Sequence, residues 1–230
     1  MNNPTRAAAS ARIATVVHWP HELKRRFVYL WPLKAVGTAG GIWLFFLAYF
    51  WVLKNPSQPP TTMPRIWVDA LVPFTPAAFA IYASLWFFVS LPPALVGNWR
   101  ALLHFGRWIM GLCLLCLAIF WALPTQVPPT QIDWSAYPSL AFLKSIDAAG
   151  NACPSLHVAS AVFASAWLDR LLRTLRLPHA PVWAWACHLF CLAIVWSTLA
   201  TLQHVALDAL AGAMVGVLFA WLSLRRAPPL

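Results

Sequence analysis

The chain has 230 residues, of which 61% are hydrophobic and only 10% are charged, and its formal net charge is +10. Soluble domains carry about 25% charged residues, so this composition excludes an ordinary water-soluble domain and places the chain among membrane proteins. The basic residues lie between apolar segments, where they set orientation, and no basic face with exposed aromatic residues can be drawn. Nucleic acid is therefore not an expected partner.

Residues 1–34 form a basic N-terminal segment in which Lys24, Arg25 and Arg26 precede aromatic residues, a pattern typical of the cytoplasmic membrane–water interface. Residues 35–226 follow as one transmembrane domain. The sequence predicts an all-α polytopic membrane protein with six transmembrane helices, because six segments approach the roughly 20 apolar residues that a crossing requires. The segments are Ala35–Leu53, about Ala70–Leu91, about Trp108–Leu123 (a short one, which is expected to tilt little or to extend into its flanks), about Pro154–Leu172, about Pro181–Leu202 and Val205–Leu224.

The basic residues also predict the orientation of these helices. If the N-terminus is cytoplasmic, 13 of the 16 Lys and Arg residues fall inside and only Lys54, Arg65 and Lys144 fall outside. This asymmetry predicts a multi-pass protein of the plasma membrane, or of the inner membrane in a bacterium, with both termini cytoplasmic. The outer, or periplasmic, face then carries the loops near 54–69, near 124–153 and the tight turn near 200–204.

Two histidines fall at the predicted outer surface, His157 at the start of the fourth helix and His204 at the start of the sixth. His204 and Asp208 share a helix face because they lie four residues apart, and the carboxylate can fix the imidazole tautomer. The segment Pro154-Ser155-Leu156-His157 brings a hydroxyl and an imidazole to a helix start, where free amides bind anions. We therefore predict that the two segments form one phosphate-handling site.

Together these segments resemble the type 2 phosphatidic acid phosphatase (PAP2) superfamily. Its members carry Lys-x6-Arg-Pro, then Pro-Ser-Gly-His, then Ser-Arg-x5-His-x3-Asp. Here the second motif reads Pro154-Ser155-Leu156-His157, and the third reads Ser197-Thr198, five residues, His204, three residues and Asp208. The resemblance covers about residues 108–226 and implies a PAP2-like helical bundle with both motifs at the outer surface.

The chain departs from the family pattern at three places. Leu156 replaces the glycine, and this variant of the motif resembles the inositol-phosphorylceramide-synthase-like branch. Thr198 stands in place of the arginine, and no Lys-x6-Arg-Pro is present. Lys144, in the loop that leads into the second motif, is the first candidate to replace a missing cation, and Arg65 is the second. Asn151 in the same loop is a further candidate for substrate binding.

The resemblance implies a role for each matching residue. His204 would attack phosphorus and form a phosphohistidine, Asp208 would orient His204, and His157 would protonate the leaving alkoxide. Ser155, Ser197 and the amides at the helix start would hold the phosphoryl oxygens, a task for which positioned donors matter most. No metal or other cofactor is expected, because the sequence offers no carboxylate cluster for magnesium.

The sequence thus predicts an integral-membrane lipid phosphatase or phosphotransferase acting on a phospholipid or another lipid phosphate or phosphodiester at the outer face. Transfer is slightly favoured over hydrolysis, and the oligomeric state stays open. The alternatives are a catalytically degenerate PAP2-like protein, a haem protein ligated by His157 and His204, and a transporter. His188 and the Cys113-x-x-Cys116 pair lie in apolar segments and are interpreted as helix-packing residues.

Overall fold

The computed structural model describes residues 19–146, 150–175 and 177–230. Residues 1–18 of the predicted N-terminal segment and Arg176 lie outside these ranges. The described chain is predominantly helical, as predicted, with one pair of two-residue parallel strands, β1 (Thr61–Thr62) and β2 (Thr125–Gln126). The α-helices are α1 (Trp19–Val28), α2 (Trp31–Lys54), α3 (Trp67–Ala70), α4 (Phe79–Ala83), α5 (Leu85–Leu95), α6 (Trp99–Ala122), α7 (Pro138–Ile146), α8 (Leu156–Thr174), α9 (Ala180–Ala200) and α10 (Ala206–Arg225).

Five stretches of the described chain are long and apolar enough to cross a membrane, which indicates a multi-pass membrane protein. They are Trp31–Lys54, Pro76–Leu95, Trp99–Ala122, Ala180–Ala200 and Ala206–Arg225. The predicted count of six is therefore not confirmed. The difference is α8, where Asp169, Arg170 and Arg173 interrupt the apolar sequence.

Three of the approximate segment boundaries differ from those of the observed helices. The second crossing begins at Pro76, since residues Trp67–Ala70 form the separate helix α3. The third segment extends into its N-terminal flank: α6 has 24 residues because Asn98 caps it early, its side chain accepting a hydrogen bond of 2.8 Å from the amide of Ala101. The fourth helix begins at Leu156, with Ser155 rather than Pro154 at its start.

Helix α8 forms the centre of the bundle and packs against α5, α6, α9 and α10. Its large side chains Phe163 and Trp167 are fully buried in the main apolar cluster. Because neighbouring helices cover α8 on several sides, its sequence need not be apolar enough to face lipid. This is consistent with the absence of α8 from the five stretches that are apolar enough to cross a membrane.

Helices α8 and α10 cross at very short range where α10 has Gly212 and Gly216. A Cβ atom added at Gly212 would collide with the carbonyl oxygen of Ser155, and one at Gly216 would lie 2.6 Å from that of Ala159. Two small residues four positions apart are the usual means by which membrane helices bring their backbones together. The crossing places the first turn of α8 beside the first turn of α10.

Basic side chains, of which Lys34 is buried and Arg170 partly buried, hold together the helix ends that lie opposite this crossing. Lys34 donates hydrogen bonds of 2.7–2.9 Å to the carbonyl groups of Arg26, Ala94 and Val96. Arg170 of α8 donates a hydrogen bond of 2.8 Å to the carbonyl of Leu224. We call this the basic end of the bundle, and the opposite end, where α8 and α10 begin, the histidine end.

Replacing Gly212 with Val is expected to destabilise the protein by about 1–3 kcal/mol or more, because the added atoms force α8 and α10 apart. Thermal unfolding of the purified protein in detergent checks this. Gly40→Val is the matched control, since a Cβ atom at Gly40 meets nothing within 4 Å. Equal melting temperatures for the two variants would contradict the close crossing.

Candidate active site

One elongated cavity of about 970 Å³ lies between α2, α5 and α6 and reaches His157 and His204 at the histidine end. His157 projects from the first turn of α8, and His204 lies in the turn between α9 and α10. The two histidines are 47 positions apart in the chain. The helix crossing brings them to a common space, as the two sequence motifs predict.

His204 is paired with Asp208. Its Nδ1 atom lies 3.6 Å from Oδ2 of Asp208, which is completely buried. The same carboxylate oxygen accepts a 3.0 Å hydrogen bond from the amide of Val205 at the start of α10. With Nδ1 directed to the carboxylate, Nε2 is the nitrogen of His204 that can meet a substrate. Catalytic contacts of this kind often shorten only when substrate binds.

The turn that carries His204 is fixed by backbone hydrogen bonds. The carbonyl of Thr198 accepts from the amides of both Gln203 (3.0 Å) and His204 (3.1 Å), and Leu202 adopts a left-handed conformation with φ 56°. Lys144 donates a 2.9 Å hydrogen bond to the carbonyl of Leu202. Lys144 therefore supports the turn next to His204.

His157 is held by Tyr82. Its Nε2 lies 3.0 Å from the carbonyl oxygen of Tyr82, and the two rings stack with centroids 4.0 Å apart and planes 14° apart. Because a carbonyl oxygen only accepts, Nε2 carries the proton and Nδ1 is the nitrogen that can take up or release one. No sequence pattern identified Tyr82 as a partner, since 75 residues separate the two positions.

Ser155 joins the two motifs. Its side chain caps α8 by accepting a 3.3 Å hydrogen bond from the amide of Val158, and its own amide donates a 2.9 Å hydrogen bond to the carbonyl of Asp208. Ser155 is completely buried and does not line the cavity. Its observed role is to fix the two helix starts relative to each other.

Ser197 and Asn151 occupy different kinds of position. Ser197 is completely buried, and its hydroxyl donates to the carbonyl of Ile194 within α9, so it contributes to the helix end and not to the cavity wall. Asn151 lines the cavity, has φ 51° and donates a 3.3 Å hydrogen bond to the carbonyl of Tyr49 on α2. Of the predicted site residues, His157, His204 and Asn151 line the cavity, while Asp208, Ser155, Ser197 and Lys144 lie around them.

Asp69 is a site residue that sequence reasoning missed. One of its carboxylate oxygens accepts a 2.7 Å hydrogen bond from the amide of Ala206, at the start of α10, and the other accepts a 2.8 Å bond from the amide of Ile66. An anion is favoured at a helix N-terminus by the aligned peptide dipoles. Asp69 thus anchors the helix start that follows His204.

At the histidine end, the ammonium group of Lys144 lies beside the turn of His204, where it binds the carbonyl of Leu202, and Lys144 does not line the cavity. Among the described residues, Lys34 is the one Lys or Arg that lines the cavity, and it belongs to the basic end. Thr198, at the position of the family arginine, is buried and donates to the carbonyl of Val195 in its own helix. Arg65 is exposed. A bound anion would therefore rely on imidazole and on the N-terminal amides of α8.

Cys153 is the thiol nearest to the motifs in sequence. Burial raises its pKa to about 11, and the negative charge of Asp208 adds to this effect. A thiol with so high a pKa is protonated at neutral pH and is a poor nucleophile. The nucleophile of this site is therefore best sought among the histidines.

One family model matches the C-terminal part of the chain. Residues 120–229 match the family model of the PAP2 superfamily, which supports that superfamily for the C-terminal part of the chain. The matched range includes α8, α9 and α10, and hence His157, His204 and Asp208. The match and the apolar helices are consistent with a membrane phosphatase-like protein. No curated protein and no solved structure matches the chain significantly.

Replacing Asp69 with Ala is expected to loosen the start of α10, because a hydrogen bond to a charged group contributes about 1.5–3 kcal/mol. Amide hydrogen exchange in the peptide that covers 201–208 should become faster. Asp133→Ala is the matched control, since Asp133 accepts only from the nearby Ser135 in the described structure. Exchange at 201–208 that is the same in both variants would show that Asp69 does not hold this helix start.

Proposed function

We propose that this protein is an integral-membrane enzyme that transfers a phosphoryl or phosphoryl-headgroup unit from a lipid phosphate or phosphodiester. The observation that carries the proposal is the meeting of His157 and His204 at one end of a largely apolar cavity. Asp208 lies 3.6 Å behind His204. An imidazole nucleophile, its carboxylate and a second imidazole next to an apolar chamber suit a substrate with a polar phosphate and a hydrocarbon tail.

The geometry supports a two-step reaction. In the first step, Nε2 of His204 attacks phosphorus, the ester P–O bond breaks, and protonated His157 gives its Nδ1 proton to the leaving alkoxide. Asp208 stabilises the positive charge that develops on His204. In the second step, neutral His157 takes a proton from water or an alcohol, whose oxygen attacks phosphorus and breaks the P–N bond. Proton and phosphoryl unit are thereby accounted for in both steps.

The scarcity of cations favours a substrate of low charge. A phosphodiester carries one negative charge, whereas a monoester carries nearly two at neutral pH. The described cavity has no Lys or Arg at the histidine end, so a diester fits the electrostatics better. Attack on a diester transfers a phosphoryl-headgroup unit, which is the reaction class of the inositol-phosphorylceramide-synthase-like branch that Leu156 also favours. We therefore favour transfer over hydrolysis.

We further infer that α8 crosses the membrane as a sixth helix within the bundle, since it packs between α9 and α10, which are themselves long and apolar enough to cross. Arg26, Lys34 and Arg170 mark the basic end, which the distribution of positive charge assigns to the cytoplasm. The histidine end then faces the outer side of the plasma membrane or the periplasm.

Replacing His204 with Ala is expected to abolish turnover, and Asp208→Asn to lower it by up to about 10⁴-fold through loss of the correct tautomer. Free phosphate, free phosphoryl-headgroup and newly formed lipid are measured with labelled lipid monoesters and diesters and a lipid-alcohol acceptor. His188→Ala is the matched control, because His188 contacts Ser165 at 2.8 Å and does not line the cavity. Substantial activity in His204→Ala would refute the assignment of His204 as the nucleophile. Release of free phosphate without any newly formed lipid would identify the enzyme as a phosphatase.

The inferred orientation predicts which introduced cysteines react from outside. In a background without native cysteines, Ser139→Cys should react with an impermeant thiol reagent in whole cells, with any outer membrane permeabilised, and Arg173→Cys should not. Both positions are exposed in the structure, so the difference reports sidedness and not burial. The opposite labelling pattern would place the histidine end in the cytoplasm.

A further inference from the structure

The cavity extends far beyond the histidines. On α2 its lining runs from Leu33 to Phe50, and on α6 from Trp99 to Leu117. At the helical rise of 1.5 Å per residue, the two spans correspond to about 26 Å and about 27 Å. The two helices that line the cavity thus give similar lengths. One leaflet of a bilayer has a hydrocarbon depth of about 15 Å, half of the usual 30 Å. The cavity is therefore longer than one leaflet.

The cavity owes its length to a shallow surface on α2. Gly37 and Gly41 lie one turn apart on the lining stripe, and a Cβ atom at either position meets nothing within 4 Å. On the same stripe, Phe45 and Tyr49 line the part nearer the histidine end. Without side chains at the two glycines, α2 leaves space beside α5 and α6 instead of packing closely against them.

The two ends of the cavity are chemically different. His157, His204 and Asn151 lie at one end, and the opposite end closes near Lys34, whose ammonium group is occupied by three carbonyl groups. A ligand with its phosphate at the histidines would therefore place only hydrocarbon along the remaining length. That hydrocarbon would have to pass the middle of the membrane to fill the cavity.

On this basis, and resting on the function proposed above, we propose that the substrate is a phosphate ester whose hydrocarbon chain is longer than one leaflet. The chain lies along the α2 stripe and crosses the level of Gly41. Because lipid tails are as apolar as the cavity wall, binding strength depends on packing contacts with that wall, and only long chains make the contacts beyond one leaflet. A lipid with acyl chains of ordinary length would leave the part near Gly37 unused.

Chain-length selectivity tests the proposal. A series of phosphate esters with one headgroup and increasing chain length is assayed, and kcat/KM of the longest is divided by that of the shortest. Gly41→Leu blocks the cavity about 14 Å from Phe50, so the ratio should fall at least about tenfold, because each excluded CH₂ group loses its packing contacts with the cavity wall. Gly37→Leu blocks the cavity about 20 Å from Phe50 and should affect only chains longer than those that Gly41→Leu excludes.

Gly40→Leu is the matched control, because Gly40 is on the same helix with open space around it but does not line the cavity. This variant should keep the wild-type ratio. A wild-type protein that turns over short and long chains equally, or identical ratios for Gly41→Leu and Gly40→Leu, would overturn the proposal and leave the cavity as a space that membrane lipid fills.

Binding of unreactive long-chain and short-chain phosphonates separates this proposal from the catalytic one. If no ester is turned over but the wild-type protein still prefers the long phosphonate and Gly41→Leu loses that preference, the catalytic function fails and the chain site stands. If esters are turned over without a length preference, the catalytic function stands and the chain site fails. Loss of both turnover and length-dependent binding would refute both.

Discussion

The close crossing of α8 and α10 is the constraint on which the rest of the structure depends. Gly212 and Gly216 allow the backbone of α10 to approach the carbonyl groups of Ser155 and Ala159. Membrane helices lack a hydrophobic force that drives them together, so such close packing supplies much of their association. The same contact sets the separation between the two motifs, because His157 lies in the first turn of α8 and His204 lies just before the first residue of α10.

Most of the polar residues around the histidines form hydrogen bonds with groups of the protein backbone. Ser155 caps α8 and binds Asp208 through its amide, Lys144 supports the turn at Leu202, and Asp69 caps α10. Buried backbone groups in a membrane protein must find partners within the protein, and these residues supply them. The histidine end of the cavity is left with imidazole, amide and hydroxyl groups and hydrocarbon, a combination that suits a lipid ester of low charge.

Much of this architecture could be predicted from the sequence. Apolar length indicated a helical membrane protein, and the spacing of Pro154–His157 and His204–Asp208 placed both motifs at helix starts at one end. The roles of Ser155, Ser197 and Lys144 in substrate binding stay predictions. The capping role of Asp69 and the Tyr82 stack depend on tertiary contacts across 137 and 75 residues, which carry no local pattern. The pair of glycines in α10 indicates close helix packing and could have been recognised from the sequence alone.

The most direct test of the account is to identify the covalent intermediate. Protein incubated briefly with a lipid ester labelled in its phosphoryl group is quenched with alkali, and the labelled peptide is sequenced by mass spectrometry. The account predicts an acid-labile, alkali-stable phosphoryl or phosphoryl-headgroup label on His204, which is lost in His204→Ala and accumulates when the acceptor is withheld. A label on Ser155, Cys153 or His157, or turnover with no covalent label under these conditions, would contradict it.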